Sequence, residues 1–168
     1  MTAIGPDRPG LVEMLARVVA DHDGNWLESS MAQLAGQFAG IARVRVAADR
    51  AAALQTALRA MGALRVQCEM AEAAVPTPAT ALWQLDVVGH DRPGIVREVS
   101  QVLARHAINV ESLETYTAPA AMSGETLFHA EARLATDGSV AAETLKQELE
   151  ALSGELMVEL YPFSPRQQ

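Results

Sequence analysis

The sequence predicts an α+β protein built from two ferredoxin-like β-α-β-β-α-β domains in tandem, each an antiparallel sheet with its helices on one face. Three observations predict it. The chain repeats itself, some segments alternate apolar and polar residues with period two, and others carry apolar residues at helical spacing.

The repeat is explicit. Residues 4–25 read IGPDRPGLVEMLARVVADHDGN and residues 88–109 read VGHDRPGIVREVSQVLARHAIN, an offset of 84. Beyond Asn109 the match shifts to an offset of 88, with Gly36, Ala42, Arg45 and Ala47 facing Gly124, Ala130, Arg133 and Ala135. The copies are therefore expected to differ by four inserted residues in the loop around Pro119 and Ser123. The chain divides into a first domain over 1–72, a linker over 73–80 with Pro76 and Pro78, a second domain over 81–162, and a tail over 163–168. Prolines among small residues make an extended linker, and the tail, with nothing to bury, is expected to be disordered.

Each copy reads as the same series of elements. Ala81–Val88 alternates and predicts a strand; only Met1–Ile4 precede the corresponding turn in the first copy, so its strand should be shorter. After the turn, Pro93 suits the first helical position, where no amide donor is needed. Ile95, Val99, Val102 and Leu103 then form an apolar stripe, matched by Leu11, Leu15, Val18 and Val19. Gly24 fits a left-handed helix stop that Ile108 cannot copy, so the second helix should end differently. A strand should begin at Asn25 and at Asn109. The next strand sets Phe128, Ala130, Ala132 and Leu134 against His129, Glu131 and Arg133, and in the first copy Ala42, Val44 and Val46 against Arg43 and Arg45. That alternation fits a sheet covered on one face only. A helix over Asp49–Met61, stopped by Gly62, pairs with one carrying Leu145, Leu149 and Leu152, stopped near Gly154. Leu64–Met70 and Glu155–Tyr161 close the copies as strands.

Composition excludes several functions. The net charge is −8 and the 13 Lys and Arg form no basic run, which argues against direct binding to nucleic acid or to an anionic membrane. Cys68 is alone, so it supports neither a disulfide framework nor a cysteine metal site and reads as a buried bystander. With no signal-peptide pattern and no long apolar run, a cytoplasmic location is expected. His22 and His106 recur at the end of the first helix of each copy, where the carbonyl end of the helix explains them better than a metal does. No Ser-His-Asp spacing or phosphate-binding loop is present, and no cofactor is expected. Trp26 and Trp83 read as packing residues.

The strand–Asp-Arg-Pro-Gly–helix turn is the feature with chemistry in it. A helix N-terminus offers unpaired amides and partial positive charge to a carboxylate, and a glycine allows close approach to the backbone. Asn109, with donors and acceptors, could take the amino group of a small amino acid. The same residues can also be read as folding punctuation, with Asp91 as a cap and Arg92 as a solvated charge.

Gly-x-Asp-Arg-Pro-Gly-[Leu/Ile]-Val, followed by an amphipathic helix, an asparagine and a strand, resembles the opening of an ACT domain. Both copies show it, so the resemblance spans about residues 1–162. It implies regulatory modules that bind amino acids at interfaces between two such domains. The ligand-facing positions would then be Pro6, Asp7, Arg8, Gly10 and Leu11 with Asn25, and His90, Asp91, Arg92, Gly94 and Ile95 with Asn109. A small amino acid, glycine or serine first, would be the ligand, and a homodimer, or a monomer whose two copies pair internally, the assembly. A pair of such domains without an attached enzyme, with Asn-Trp-Leu-Glu-Ser at 25–29 and Gly-Gln-Phe-Ala-Gly at 36–40, is similar to the family's transcriptional repressors. That implies a non-enzymatic regulator acting through a protein partner, a DNA-binding transcription factor. The alternatives are a sensor subunit of a metabolic enzyme, or the ACT portion of a formyltetrahydrofolate deformylase-like enzyme.

Overall fold

The protein is described by a computed structural model covering residues 1–70, 81–120 and 124–163. The expected linker over 73–80, Met122 and Ser123 of the inserted loop, and residues 164–168 of the expected tail lie outside the described residues. Phe163 does not behave as tail. Its amide donates to the Leu82 carbonyl at 2.8 Å, and the Arg133 guanidinium lies 5.3 Å from its ring centre.

The chain forms two compact units, Met1–Ala74 and Val75–Gln168. In the first, β1 (Thr2–Pro6), α1 (Leu11–Asp21), β2 (Asn25–Leu34), β3 (Gln37–Arg45), α2 (Ala48–Arg59) and β4 (Arg65–Gln67) follow in order. The second repeats this as β5 (Ala81–His90), α3 (Ile95–Arg105), β6 (Asn109–Pro119), β7 (Thr126–Thr136), α4 (Ala142–Glu150) and β8 (Met157–Pro162). The sheets run β2-β3-β1-β4 and β6-β7-β5-β8, antiparallel throughout. This is the expected β-α-β-β-α-β order, twice.

Each core lies between the sheet and the two helices on one face. Leu11, Leu15 and Val19 of α1 recur every four residues and are at most 2% exposed, so one stripe of the helix is dehydrated. Leu54 and Leu58 of α2 meet the same core. In the second unit Val102, Leu134, Leu145 and Leu149 are wholly buried, with Trp83, Leu85 and Val87 beside them. Trp26 and Cys68 pack at the margin of the first core.

Three sequence expectations need correction. First, the register: Thr2 pairs with Ile41 where Asp86 pairs with Glu131, so β3 and β7 are offset by 90, not 88. Arg133 thus corresponds to Arg43, and Ala132 to Ala42. The β2–β3 turn is two residues, Ala35 and Gly36, at φ 49° and 75°. Both positive angles match the twist of the flanking strands, the geometry of a type I′ hairpin. The second copy inserts six residues there rather than four. Chance identities between alanine-rich strands hid the true alignment.

Second, the helices begin later. Gly10 and Gly94, at φ 89° and 98°, are the N-cap residues, so Pro9 and Pro93 lie in the turn before them. The carbonyls of Gly10 and Gly94 accept the first helical bonds, from Met14 and Glu98, each at 2.9 Å. Third, the two helices stop alike. The left-handed residue is Asp23 at φ 55° and Ala107 at φ 52°, one position before Gly24 and Ile108. The amide of Gly24 donates to Val19 and that of Ile108 to Leu103, at 2.9 and 3.0 Å, closing the six-to-one bond of a Schellman stop in both copies. Asp23 tolerates that conformation more readily than Ala107 does.

Leu149→Ala is expected to destabilise the second unit by about 3 kcal/mol, since the site is surrounded by packed neighbours that collapse only partly into the void. Denaturant unfolding followed by tryptophan fluorescence in Trp26→Phe and Trp83→Phe backgrounds checks it. The transition reported by Trp83 should shift while that reported by Trp26 stays in place.

Candidate functional site

The turn between the first strand and first helix of each unit is shaped by two glycines with different tasks. Gly5 and Gly89 lie within the strand, where a later loop crosses closely. A Cβ on Gly5 would sit 2.8 Å from the Ala63 carbonyl oxygen, and one on Gly89 would sit 2.6 Å from Leu156 Cδ2. Gly10 and Gly94 supply the left-handed angle that swings the chain into the helix. Between them the amides of Asp7 and Asp91 donate to the carbonyls of Gly36 and Thr126, each at 2.9 Å. The turn is thus pinned to the neighbouring hairpin, with Gly10 exposed and Gly94 half-buried at the helix start beyond it.

The predicted site residues divide into two groups that each domain keeps apart. Pro6, Asp7, Arg8 and Gly10 are exposed and lie together at one end of the first sheet; His90, Asp91, Arg92 and Gly94 occupy the same end of the second. Leu11 and Ile95 are 2% exposed and serve the core, so only their amides remain to face a ligand. Asn25 and Asn109 are elsewhere. Pro6 is level with Gln37 on β3 while Asn25 is level with Arg45; His90 is level with Leu127 on β7 while Asn109 is level with Ala135. Eight residues of antiparallel strand span about 27 Å, more than any small amino acid can bridge. Within one domain the turn and the asparagine cannot share a ligand.

The two turns also differ in charge. In the second unit Arg92 grips Glu98 through both guanidinium nitrogens, at 3.1 and 2.6 Å. Glu98 Oε1 lies 3.4 Å from the position a Cβ on Gly94 would take, so this carboxylate overhangs the helix start. The hydrogen bond from Arg92 holds the Glu98 carboxyl below the usual carboxylate range, and Glu98 raises Arg92 in turn. The equivalent of Glu98 in the first unit is Met14, and the space around a Cβ on Gly10 is open. Sequence reasoning passed over Glu98. Its signal was position: the fourth residue after the N-cap glycine, one helical turn from it, where a carboxylate can reach back over the amides.

The repeated histidines part company too. His22 Nδ1 lies 2.8 Å from the Val18 carbonyl at the end of α1, whereas His106 Nε2 lies 3.0 Å from Glu148 on α4. Among the described residues no group of histidine, cysteine or carboxylate side chains converges as a metal site, and no helix is long and apolar enough to cross a membrane.

Comparison with known proteins fits this geometry. A family profile described as ACT domain matches residues 1–70, and a second of the same description matches residues 83–153. The glycine cleavage system transcriptional repressor of Escherichia coli (strain K12) is 26% identical over 161 residues, covering 93% of this chain and 84% of that protein. Among solved structures, an unknown protein from Galdieria sulphuraria has a TM-score of 0.79 at 29% identity, over 97% of this chain and 96% of that one. A protein provisionally assigned as a glycine cleavage system transcriptional repressor shares the fold, with a TM-score of 0.73 at 21% identity, over 98% and 95% of the two chains.

Because the charged form of Glu98 is bound in the folded state, its contribution to stability is present above the unfolded-state pKa and is lost as pH falls through the lowered folded value. Carbon-13 NMR titration should place the Glu98 carboxyl below the usual carboxylate range and show it rising in Arg92→Ala. An unchanged value in the variant would show that the ion pair does not persist in solution.

Proposed function

This chain belongs to the ACT domain family, two domains in tandem, and from that premise we propose that it is a non-catalytic, amino-acid-responsive regulator that acts through a protein partner. The observation that carries the reading is the pair of helix N-termini, each set by a left-handed glycine at the same place in the two domains. Such an N-terminus favours a carboxylate through its free amides and its dipole. The Escherichia coli relative is named for the glycine cleavage system, so glycine is the first ligand to test and serine the second.

The amino group of the ligand needs a second set of contacts, and the separation of about 27 Å between turn and asparagine supports their coming from another domain. β6 is an eleven-residue edge strand with every position but Ala118 exposed. Such an edge is a template for pairing with another strand. Antiparallel pairing of two β6 edges across a two-fold axis carries Asn109 of one copy toward the turn end of the other. Val110 and Leu113, 38% and 47% exposed, would be covered in the process. A homodimer completed in this way presents carboxylate-binding amides and an amino-group acceptor to one ligand. In the second turn that ligand displaces Glu98; in the first the helix start is already open.

The charge supports regulation through a protein partner rather than through DNA. Nucleic-acid affinity depends on clustered Lys and Arg that release counterions, and this chain carries −8 with no basic stripe. A DNA-binding transcription factor is the partner most consistent with the Escherichia coli relative; a metabolic enzyme is the alternative.

Isothermal titration with glycine and serine tests the ligand. Binding is expected in the millimolar range or tighter, with Asn109→Ala weakening it by about 1 kcal/mol through one lost polar contact. If none of the twenty amino acids raises the melting temperature at millimolar concentration, the turns are folding punctuation. Duplex DNA at physiological salt should show no gel shift with the protein alone; a tight, sequence-specific complex would overturn the partner-mediated route.

A further inference from the structure

The open face of the second sheet carries a row of carboxylates directly abreast. Glu114 on β6 pairs with Glu131 on β7, Glu131 with Asp86 on β5, and Asp86 with Glu159 on β8. All four point away from the helices, so the row crosses the sheet from edge to edge. Like charges directly opposite on neighbouring strands destabilise a sheet. The equivalent row of the first sheet is Ser30, Ile41, Thr2 and Gln67, without a charge among them.

The rest of the face is suited to long cationic side chains. On one side of the carboxylates runs a second row, Tyr116, His129, Val88 and Met157. The Tyr116 and His129 rings stack with centres 4.6 Å apart, and Met157 is 64% exposed. Together with Asp86, Glu131 and Glu159, Val88, His129 and Met157 border a depression of about 330 Å³. Arginine and lysine have apolar stems and charged heads, so they match apolar ground beside carboxylates. Asp86 is held in place by Gln84 at 3.0 Å and by the Tyr161 hydroxyl at 2.8 Å. Arg133 borders the row on its other side, and Glu111 already lies 3.0 Å from it. The field of the row is felt on Tyr161, whose hydroxyl is held above its usual pKa by the bond to Asp86 and by the charges of Asp86, Glu159 and Glu131.

The charge of the whole chain is placed in the same way. Residues 1–70 hold seven acidic and seven basic side chains, whereas residues 81–163 hold thirteen acidic and five basic. We propose that the open face of the β6-β7-β5-β8 sheet is the docking surface for a basic segment of a partner protein, its arginine and lysine heads on the Glu114–Glu131–Asp86–Glu159 row and their stems on Val88, Met157 and Tyr116. A second copy of this chain is a poor occupant, because its own row would meet this one charge for charge. A metal ion is poorer still, since the carboxylates stand in line instead of converging. The surface does not depend on the amino-acid site and stands whether or not a ligand binds at the turns.

The test compares two triple variants of the full chain with equal net charge. Glu114→Gln, Glu131→Gln and Glu159→Gln neutralise the row but leave Asp86 and its hydrogen bonds. Glu143→Gln, Glu150→Gln and Glu155→Gln remove as many carboxylates from elsewhere in the second unit. The probe is a fluorescent peptide of alternating arginine and alanine, followed by anisotropy at low and at physiological salt. The row variant should bind about tenfold more weakly than wild type, the sum of three exposed charge pairs, and should melt no lower than wild type. The control variant should stay close to wild type. Equal weakening in both variants, or no binding by wild type at low salt, would overturn the proposal. So would a row variant that changes its oligomeric state in light scattering, which would make the face a self-association surface.

Discussion

Every strand in each unit has to offer one face to two short helices, and the rest of the structure answers to that constraint. Helices of nine to twelve residues are marginal alone and are held by the apolar stripe they bury. Leu15 and Leu58 do this in the first unit, Val102, Leu145 and Leu149 in the second, against Leu85, Val87 and Leu134 of the sheet. Once both helices occupy one face, the other face and the two ends of the sheet are the surfaces left for binding. The turns occupy one end; the carboxylate row occupies the open face.

The turns show how backbone geometry and chemistry share the same residues. A glycine inside the strand makes room for a crossing loop, and a glycine at the N-cap provides a left-handed angle that other residues adopt only under strain. The second of these also bares the helix amides, so a folding requirement leaves behind an anion-friendly surface. What distinguishes the two turns lies in the first turn of the helix, where Arg97 and Glu98 stand close over Gly94 while the space over Gly10 is open. Duplication preserved the frame, and divergence of a few side chains around it, Glu98 and Arg97 among them, altered its electrostatics.

The electrostatic divergence is larger on the sheets. In the first sheet no two like charges lie directly opposite, and Arg43 pairs with Glu28 at 2.9 Å. In the second unit four carboxylates stand abreast and raise the local negative potential against the stability of the sheet. Features that oppose stability persist where another interaction offsets them, and a cationic partner is the interaction that would do so here.

The sequence by itself determined the duplication, the order of elements, the buried stripes and the turn motif, because each is written in spacing along one stretch of chain. The family resemblance rested on that same local pattern, and the charge that weighs against DNA on composition alone. Tertiary structure alone decided which residues meet. Period-two alternation tells which face of a strand a residue occupies but not which residue of another strand lies opposite, and two neighbouring registers of alanine-rich β7 looked alike from its own letters. The true register put Asn109 at the far end of the sheet from Gly94, although helix and strand bring them close in sequence. It also drew Glu114, Glu131, Asp86 and Glu159 into one row from four separate strands, a juxtaposition that exists only once hydrogen bonds between distant segments fix the sheet.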